Sequence, residues 1–266
     1  MSNLRCVSRR HFLYCAAAVP LMSGVPARGA ENAAALDASQ MAAVAATVAA
    51  REKLGDVSAP FRQGAQARIA EAMKQYAAVV TELAKAPPSR LLALNWALRQ
   101  YVIPARQAVY AKAARSQHVD GSVTSFGKDN LKCNKLVADA YAAGAGCGLS
   151  TGTGWYDTGT GTGWPAMRDG DSIWPPQAND LANPAKNIRS LTNARNLRSG
   201  DAKAEPELGD IIAFPLEGGA GHTGLYLGKN LIVSAKETGI EVHPLEYEQS
   251  QHGNVVRIRK FTGSGK

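Results

Sequence analysis

The chain has no Cys-x-x-Cys pair and no His-x-x-x-His pair among its 266 residues. A zinc hydrolase built from closely spaced ligands is therefore not expected, and the chain calls for no metal or cofactor. It also has no apolar run suited to crossing a bilayer. The best stretch, residues 13–25, is short and interrupted by Pro20 and Gly24, so no stable membrane insertion is expected. Basic residues outnumber acidic ones by 30 to 22, for a net charge of +8, yet no basic run exceeds Arg9-Arg10. Such diffuse charge favours anionic surfaces in general, an acidic wall polymer among them. It supplies no clustered face for nucleic acid. The Gly/Thr-rich stretch 148–163 is followed by no Lys-Ser or Lys-Thr and preceded by no clear strand, which argues against a phosphate-cradling loop.

Cysteine is sparse too, with four residues in all. Two of them, Cys6 and Cys15, fall in a segment with the form of an export signal over residues 1–30. There Ser8-Arg9-Arg10-His11-Phe12-Leu13 precedes a modestly apolar run, and small residues follow through Ala27 and Ala30. The arginine pair gives this signal its twin-arginine form, and Val25-Pro26-Ala27 has the better shape for cleavage. The expected location is the periplasm or the exterior. Cys133 and Cys147 remain in the mature chain. An oxidising compartment permits a disulfide between them, but a buried thiol is the commoner fate for Cys147.

Residues 31–117 read as helical. Asp37 or Ser39 caps a first helix to about residue 54, a second spans 58–86, and a third runs 89–114 with a kink at Pro104. Short connections suggest an antiparallel α-hairpin or a three-helix bundle. Its alanine-rich faces supply little core volume, so the region should lean on residues 118–266. In that second region a helix opens at Cys133, with Leu136, Val137, Ala140 and Tyr141 on one face and Gly144 as a stop. Trp155, Trp164 and Trp174 then cluster in a polar stretch. They either stack on a sugar or peptide substrate or plug the loop onto the core. From residue 207 the period becomes that of strands, at 210–214, 222–227, 231–235, 239–244 and 254–261, with a hairpin turn around Lys229-Asn230. Helices followed by an antiparallel meander make the chain α+β.

The chemistry centres on Cys133. A thiol in the first turn of a helix meets unpaired N–H groups and the positive end of the dipole, both of which favour thiolate. The competing reading is a small hydrophobe filling core space. A thiol hydrolase also needs an imidazole and a group to orient it. His222, opening a strand after Gly218-Gly219-Ala220-Gly221, is the best-placed base.

Cys133 at a helix start, then Pro206-Glu207-Leu208-Gly209-Asp210-Ile211-Ile212-Ala213-Phe214, then Gly221-His222-Thr223-Gly224-Leu225-Tyr226-Leu227-Gly228, together resemble the NlpC-type and CHAP-type papain-fold hydrolases. Those enzymes cut amide or peptide bonds in peptidoglycan. The resemblance covers about residues 120–260. It implies a papain-like domain over residues 118–266, in which an N-terminal helix packs on an antiparallel sheet. It implies Cys133 as nucleophile, His222 as base, and a third polar residue on the next strand, matched by Ser234. Glu237 or His243 takes that role if the hairpin register differs. Lys132, which stands where the family carries Asp, favours the thiolate if it lies near. Asp210 and the three tryptophans are the substrate-binding candidates, and the segment 174–184 resembles a substrate-side stretch of amidase-like members. The implied function is a peptidoglycan hydrolase working through a Cys133 thioester, without a cofactor and with scope for a regulatory protein partner. The alternatives are a non-catalytic module that binds wall or partner, and a secreted antibacterial amidase or lysin.

Overall fold

The computed structural model describes residues 59–114, 116–117, 125–126, 130–146, 149–151, 176–198, 202–219 and 221–262, with helical positions 44, 46 and 48. The signal-like segment 1–30, Cys147, Trp155, Trp164 and Trp174 lie outside the described residues.

The expected second helix is broken at Gly64 into α1 (Ala59–Arg62) and α2 (Ala65–Leu83). Helix α2 buries Ala65, Ile69, Ala72, Met73, Tyr76 and Val80, a single stripe at helical spacing. The third expected helix ends earlier than its alanine-rich sequence suggests, giving α3 (Ser89–Val102) and α4 (Pro104–Ala108). Ile103 is extended between them, because the residue before proline is pushed out of the helical region. Helix α3 is buried on most of its circumference, including Asn95 and Gln100. The Tyr76 hydroxyl donates to Asn95 Oδ1 at 3.3 Å.

The main sheet has six antiparallel strands in the order β5-β10-β6-β7-β8-β9. These are β5 (Arg195–Asn196), β6 (Ile211–Phe214), β7 (His222–Gly228), β8 (Leu231–Ala235), β9 (Ile240–Pro244) and β10 (Arg257–Arg259). Two-stranded ladders pair β1 (Ser116–Gln117) with β2 (Ser125–Phe126), and β3 (Ser150–Thr151) with β4 (Ile188–Arg189). Further α-helices among the described residues are α5 (Cys133–Asp139), α6 (Ala178–Ala182) and α7 (Leu245–His252). The polypeptide is thus α+β, as expected. Helix α7 is an addition between the strands expected at 239–244 and 254–261. Among the described residues no helix is long and apolar enough to cross a membrane.

Strands β6, β7 and β8 are buried on both faces. Ile211, Ala213, Leu225, Leu227 and Val233 share a core with α2, α3 and α5. Ile212, Phe214, Tyr226 and Ile232 face the other way, with Leu245 of α7, Val256 and Ile258. Among the described residues the helical region therefore leans on the sheet and has no separate core. One close contact with α3 is made at Gly144, in a π-helical extension of α5 (Ala140–Gly144). A Cβ there would stand 2.7 Å from Leu92 O and from Trp96 Cβ. Gly144 thus serves helix crossing rather than helix termination.

One buried side chain fastens the segment 180–192 to the sheet. The Arg259 guanidinium donates to the carbonyls of Asp180, Leu181, Asn183, Lys186 and Thr192 at 2.6–3.0 Å. Burial pulls its pKa down to about 10, so it is charged at neutral pH. Arg259→Ala leaves these carbonyls without their donor and is expected to destabilise the protein by about 3–5 kcal/mol. A shifted urea midpoint measures this. Arg259→Lys should recover little, because one ammonium cannot reproduce the planar fork.

Candidate active site

Cys133 is the first residue of α5, with Lys132 at the N-cap. The Cys133 thiol is 5% exposed and accepts backbone N–H groups from Thr223 and Asn134. The Thr223 donor is free because of how the sheet ends. Pairing of β7 with β8 stops at Leu225–Val233, while Tyr226 N–H donates to Asp210 O on the β6 side. Antiparallel alternation turns the Thr223 N–H the opposite way, past the last rung, where the sulfur takes it.

Burial is the largest influence on the thiol and raises its pKa; the two N–H groups and Lys236 oppose this without overcoming it. The resting sulfur is therefore protonated. Lys132 has a different duty from the one expected. Its buried ammonium donates to the carbonyls of Ala111 (2.9 Å), Lys112 (3.3 Å) and Asn130 (2.9 Å), which ties α5 to the helical region. Lys236 is the cation that acts on Cys133.

His222 opens β7 opposite Phe214 of β6. The residue before it has to be glycine. Gly221 has φ +68, and a Cβ there would lie 2.6 Å from both Phe214 O and Asn179 Oδ1, in a backbone region that favours glycine. Asn179 of α6 also staples the preceding loop. Its Nδ2 donates to Leu216 O (3.2 Å) and Gly219 O (2.5 Å), and its Oδ1 accepts from Leu216 N (3.0 Å). Asn134 holds the same segment, donating to Pro176 O at 3.2 Å. The stretch expected on the substrate side thus braces both Cys133 and His222.

The His222 ring faces a carboxylate that sequence reasoning missed. Glu248 of α7 is fully buried, with Oε2 3.6 Å from His222 Nε2, 3.4 Å from His252 Nε2 and 2.8 Å from Lys236 Nζ. Its Oε1 is 3.2 Å from His243 Nδ1, and His243 Nε2 hydrogen-bonds Glu241 at 2.7 Å. The His252 ring stacks on His222 with centroids 4.9 Å apart. Burial opposes ionisation of Glu248, but His222, His252, Lys236 and His243 together hold its pKa well below the usual carboxylate range. Burial also pushes His222 down to about 3, against the opposing pull of Glu248. The imidazole is neutral at physiological pH and has a lone pair for a proton.

Ser234, the expected third member, does not fill that role. Its Cβ lies beside Gly224, two residues along β7 from His222, and its hydroxyl has no hydrogen-bond partner among the described residues. Glu237 is exposed and pairs with Lys112 at 3.3 Å. His243 backs Glu248. Asp210 precedes β6 while His222 pairs with the far end of that strand, about 13 Å away at strand rise. Its Oδ2 accepts the Glu207 N–H at 2.8 Å, and burial raises its pKa to about 7, so it closes a turn remote from the thiol. A signal for Glu248 was present: after Pro244, residues Leu245, Glu248 and His252 follow at i, i+3 and i+7, and Gly253 ends the run.

A cavity of about 430 Å³ opens here, lined by Leu131, His222, Lys236, Tyr247 and His252 among others. His222, Glu248 and His252 also bring one ligand atom each within 4.8 Å of one another, so this corner can hold a metal ion. The three lie on two elements, thirty residues apart at the extremes, so no short His or Cys spacing marks them in the sequence. Comparison with protein-family models, with curated proteins and with solved structures finds no match.

The raised thiol pKa sets a sign for reactivity. Thiolate falls tenfold for each pH unit below the pKa, so alkylation of Cys133 by iodoacetamide should be slow at pH 7. It should rise through and beyond the ordinary thiol range near about 8.5. Mass spectrometry of the Cys133 peptide measures it. A rate plateau at pH 4–6, as a preformed thiolate–imidazolium pair produces, would contradict the protonated resting state.

Proposed function

We propose that the protein is a papain-like cysteine hydrolase that cleaves an amide or peptide bond in peptidoglycan stem peptides. The observation that carries this reading is the convergence of three elements. The Cys133 thiol at a helix start lies against the backbone of Thr223, and the neighbouring His222 turns Nε2 toward the buried Glu248. Glu248 replaces Ser234 in the proposed triad. A carboxylate stabilises imidazolium more than a hydroxyl does, which supports a catalytic module over one that only binds wall or partner.

In the proposed reaction the Nε2 side of His222 is held by Glu248, and Nδ1 takes the proton from Cys133. The sulfur attacks the substrate carbonyl carbon. The Cys133 N–H, unpaired at the helix start, donates to the oxyanion, a contribution of about 3 kcal/mol for such a donor. The imidazolium gives its proton to the leaving amine, and His222 then activates the water that hydrolyses the thioester. A resting neutral pair suits this order, because the proton moves as the sulfur attacks. The wall as substrate is supported by the motif resemblance around Cys133 and His222, the twin-arginine form of residues 1–30 and the net charge of +8.

Mass analysis of fragments released from purified peptidoglycan tests the reading and identifies the bond cut. Cys133→Ala should abolish release. Glu248→Gln should slow it by about 10²-fold or more in folded protein, whereas Ser234→Ala should change it less than about threefold. Undiminished release by the Cys133 variant would sink the assignment.

A further inference from the structure

The corner around Glu248 contains more than a triad requires. Three ligand atoms on two elements, His222 Nε2, Glu248 Oε2 and His252 Nε2, converge within 4.8 Å. The two His-to-carboxylate separations, 3.6 and 3.4 Å, approach the edge of about 3.3 Å between ligand atoms placed about 2.05 Å from a tetrahedral zinc ion. His222 Nε2 is buried and lacks a hydrogen-bond partner among the described residues, and its side chain is only 3% exposed. Two imidazole nitrogens within 3.6 Å of one buried carboxylate oxygen supply the donor set that zinc and its neighbours prefer.

We propose that His222, Glu248 and His252 form a binding site for a divalent transition-metal ion of the zinc type, and that occupancy switches the hydrolase off. The regulatory half rests on the Cys133–His222 reading; the binding half does not. The logic of the switch is tautomeric. Metal bonded to Nε2 takes that lone pair and leaves the ring proton on Nδ1. The neutral ring then has no lone pair to accept the Cys133 proton, and Glu248 is withdrawn from orienting it.

Two rearrangements accompany binding. The His222 and His252 rings are nearly parallel, at 11°, and in-plane lone pairs of parallel rings do not meet. The His252 ring, at the C-terminal end of its helix with its side chain 17% exposed, rotates to complete the site. Lys236, which contacts Glu248 Oε2 and also lines the cavity, gives up the carboxylate to the metal and turns outward. Lys236 therefore acts as the internal competitor of the ion.

The binding test uses the full chain carrying Cys133→Ala, which removes the nearby thiol as a ligand. Cobalt(II) titration followed by visible absorption, and zinc competition against a chromophoric chelator, should give one site per chain. Adding His252→Gln should weaken it at least tenfold, and adding Lys236→Met should tighten it several-fold. Retained affinity in the His252 variant, with the fold checked by circular dichroism, overturns the site. In the unsubstituted chain, wall hydrolysis should be full in chelator and lost on stoichiometric zinc. Metal binding without inhibition overturns the switch. No hydrolysis even in chelator overturns the catalytic reading and the switch with it, while the metal site stands or falls on the titration alone.

Discussion

The burial of Glu248 is the constraint on which this end of the molecule depends. A carboxylate withdrawn from water costs several kcal/mol unless cations and hydrogen-bond donors surround it. Here the compensation comes from β7 through His222, from the end of β8 through Lys236, from β9 through His243 and from its own helix through His252. None of these elements can shift far without stranding the charge. The buried acid thus fixes where α7 lies against the sheet and which way the His222 ring turns.

The sheet divides the candidate site residues between its two faces. Alternation along β7 sends Leu225 and Leu227 to the core shared with α5, and Tyr226 to the core shared with α7. Cys133 arrives with the first layer, while the ring of His222 belongs to the second. The sulfur reaches the backbone of β7 because β7–β8 pairing ends at Leu225–Val233, which leaves the Thr223 N–H, next in sequence to His222, for the thiol. Gly221 and the Asn179 staple keep the strand start in place. The same alternation explains Ser234, which β8 carries to the correct face but beside Gly224 rather than beside His222.

Neighbouring residues of like chemistry had opposite fates, and these mark the limit of what was legible. Glu246 and Glu248 are two apart on one short helix. Glu246 pairs with Arg68 at 2.9 Å with its side chain 44% exposed, while Glu248 is fully enclosed. Lys132 adjoins the thiol in sequence yet anchors a remote turn, and Lys236, a hundred residues on, supplies the charge. Asp210 looked like part of the site because it shares a motif with the strand that pairs with His222, but it occupies the other end of that strand. Adjacency in sequence says little about proximity once a chain folds back on itself.

The amino-acid sequence by itself determined the elements whose causes are local. These include the helix that opens at Cys133 as polar residues yield to alanine, the tight turn at Lys229-Asn230 between apolar strands, the break before Pro104 and the α+β order. Each follows from backbone preference or from the period of apolar residues, which act over a few positions. Only the tertiary structure decided which carboxylate would be buried, which lysine would face the thiol, and that His222 and His243 would join His252 around one acid. Those outcomes depend on desolvation and long-range packing, whose energies exist only after separate elements have closed around a common site.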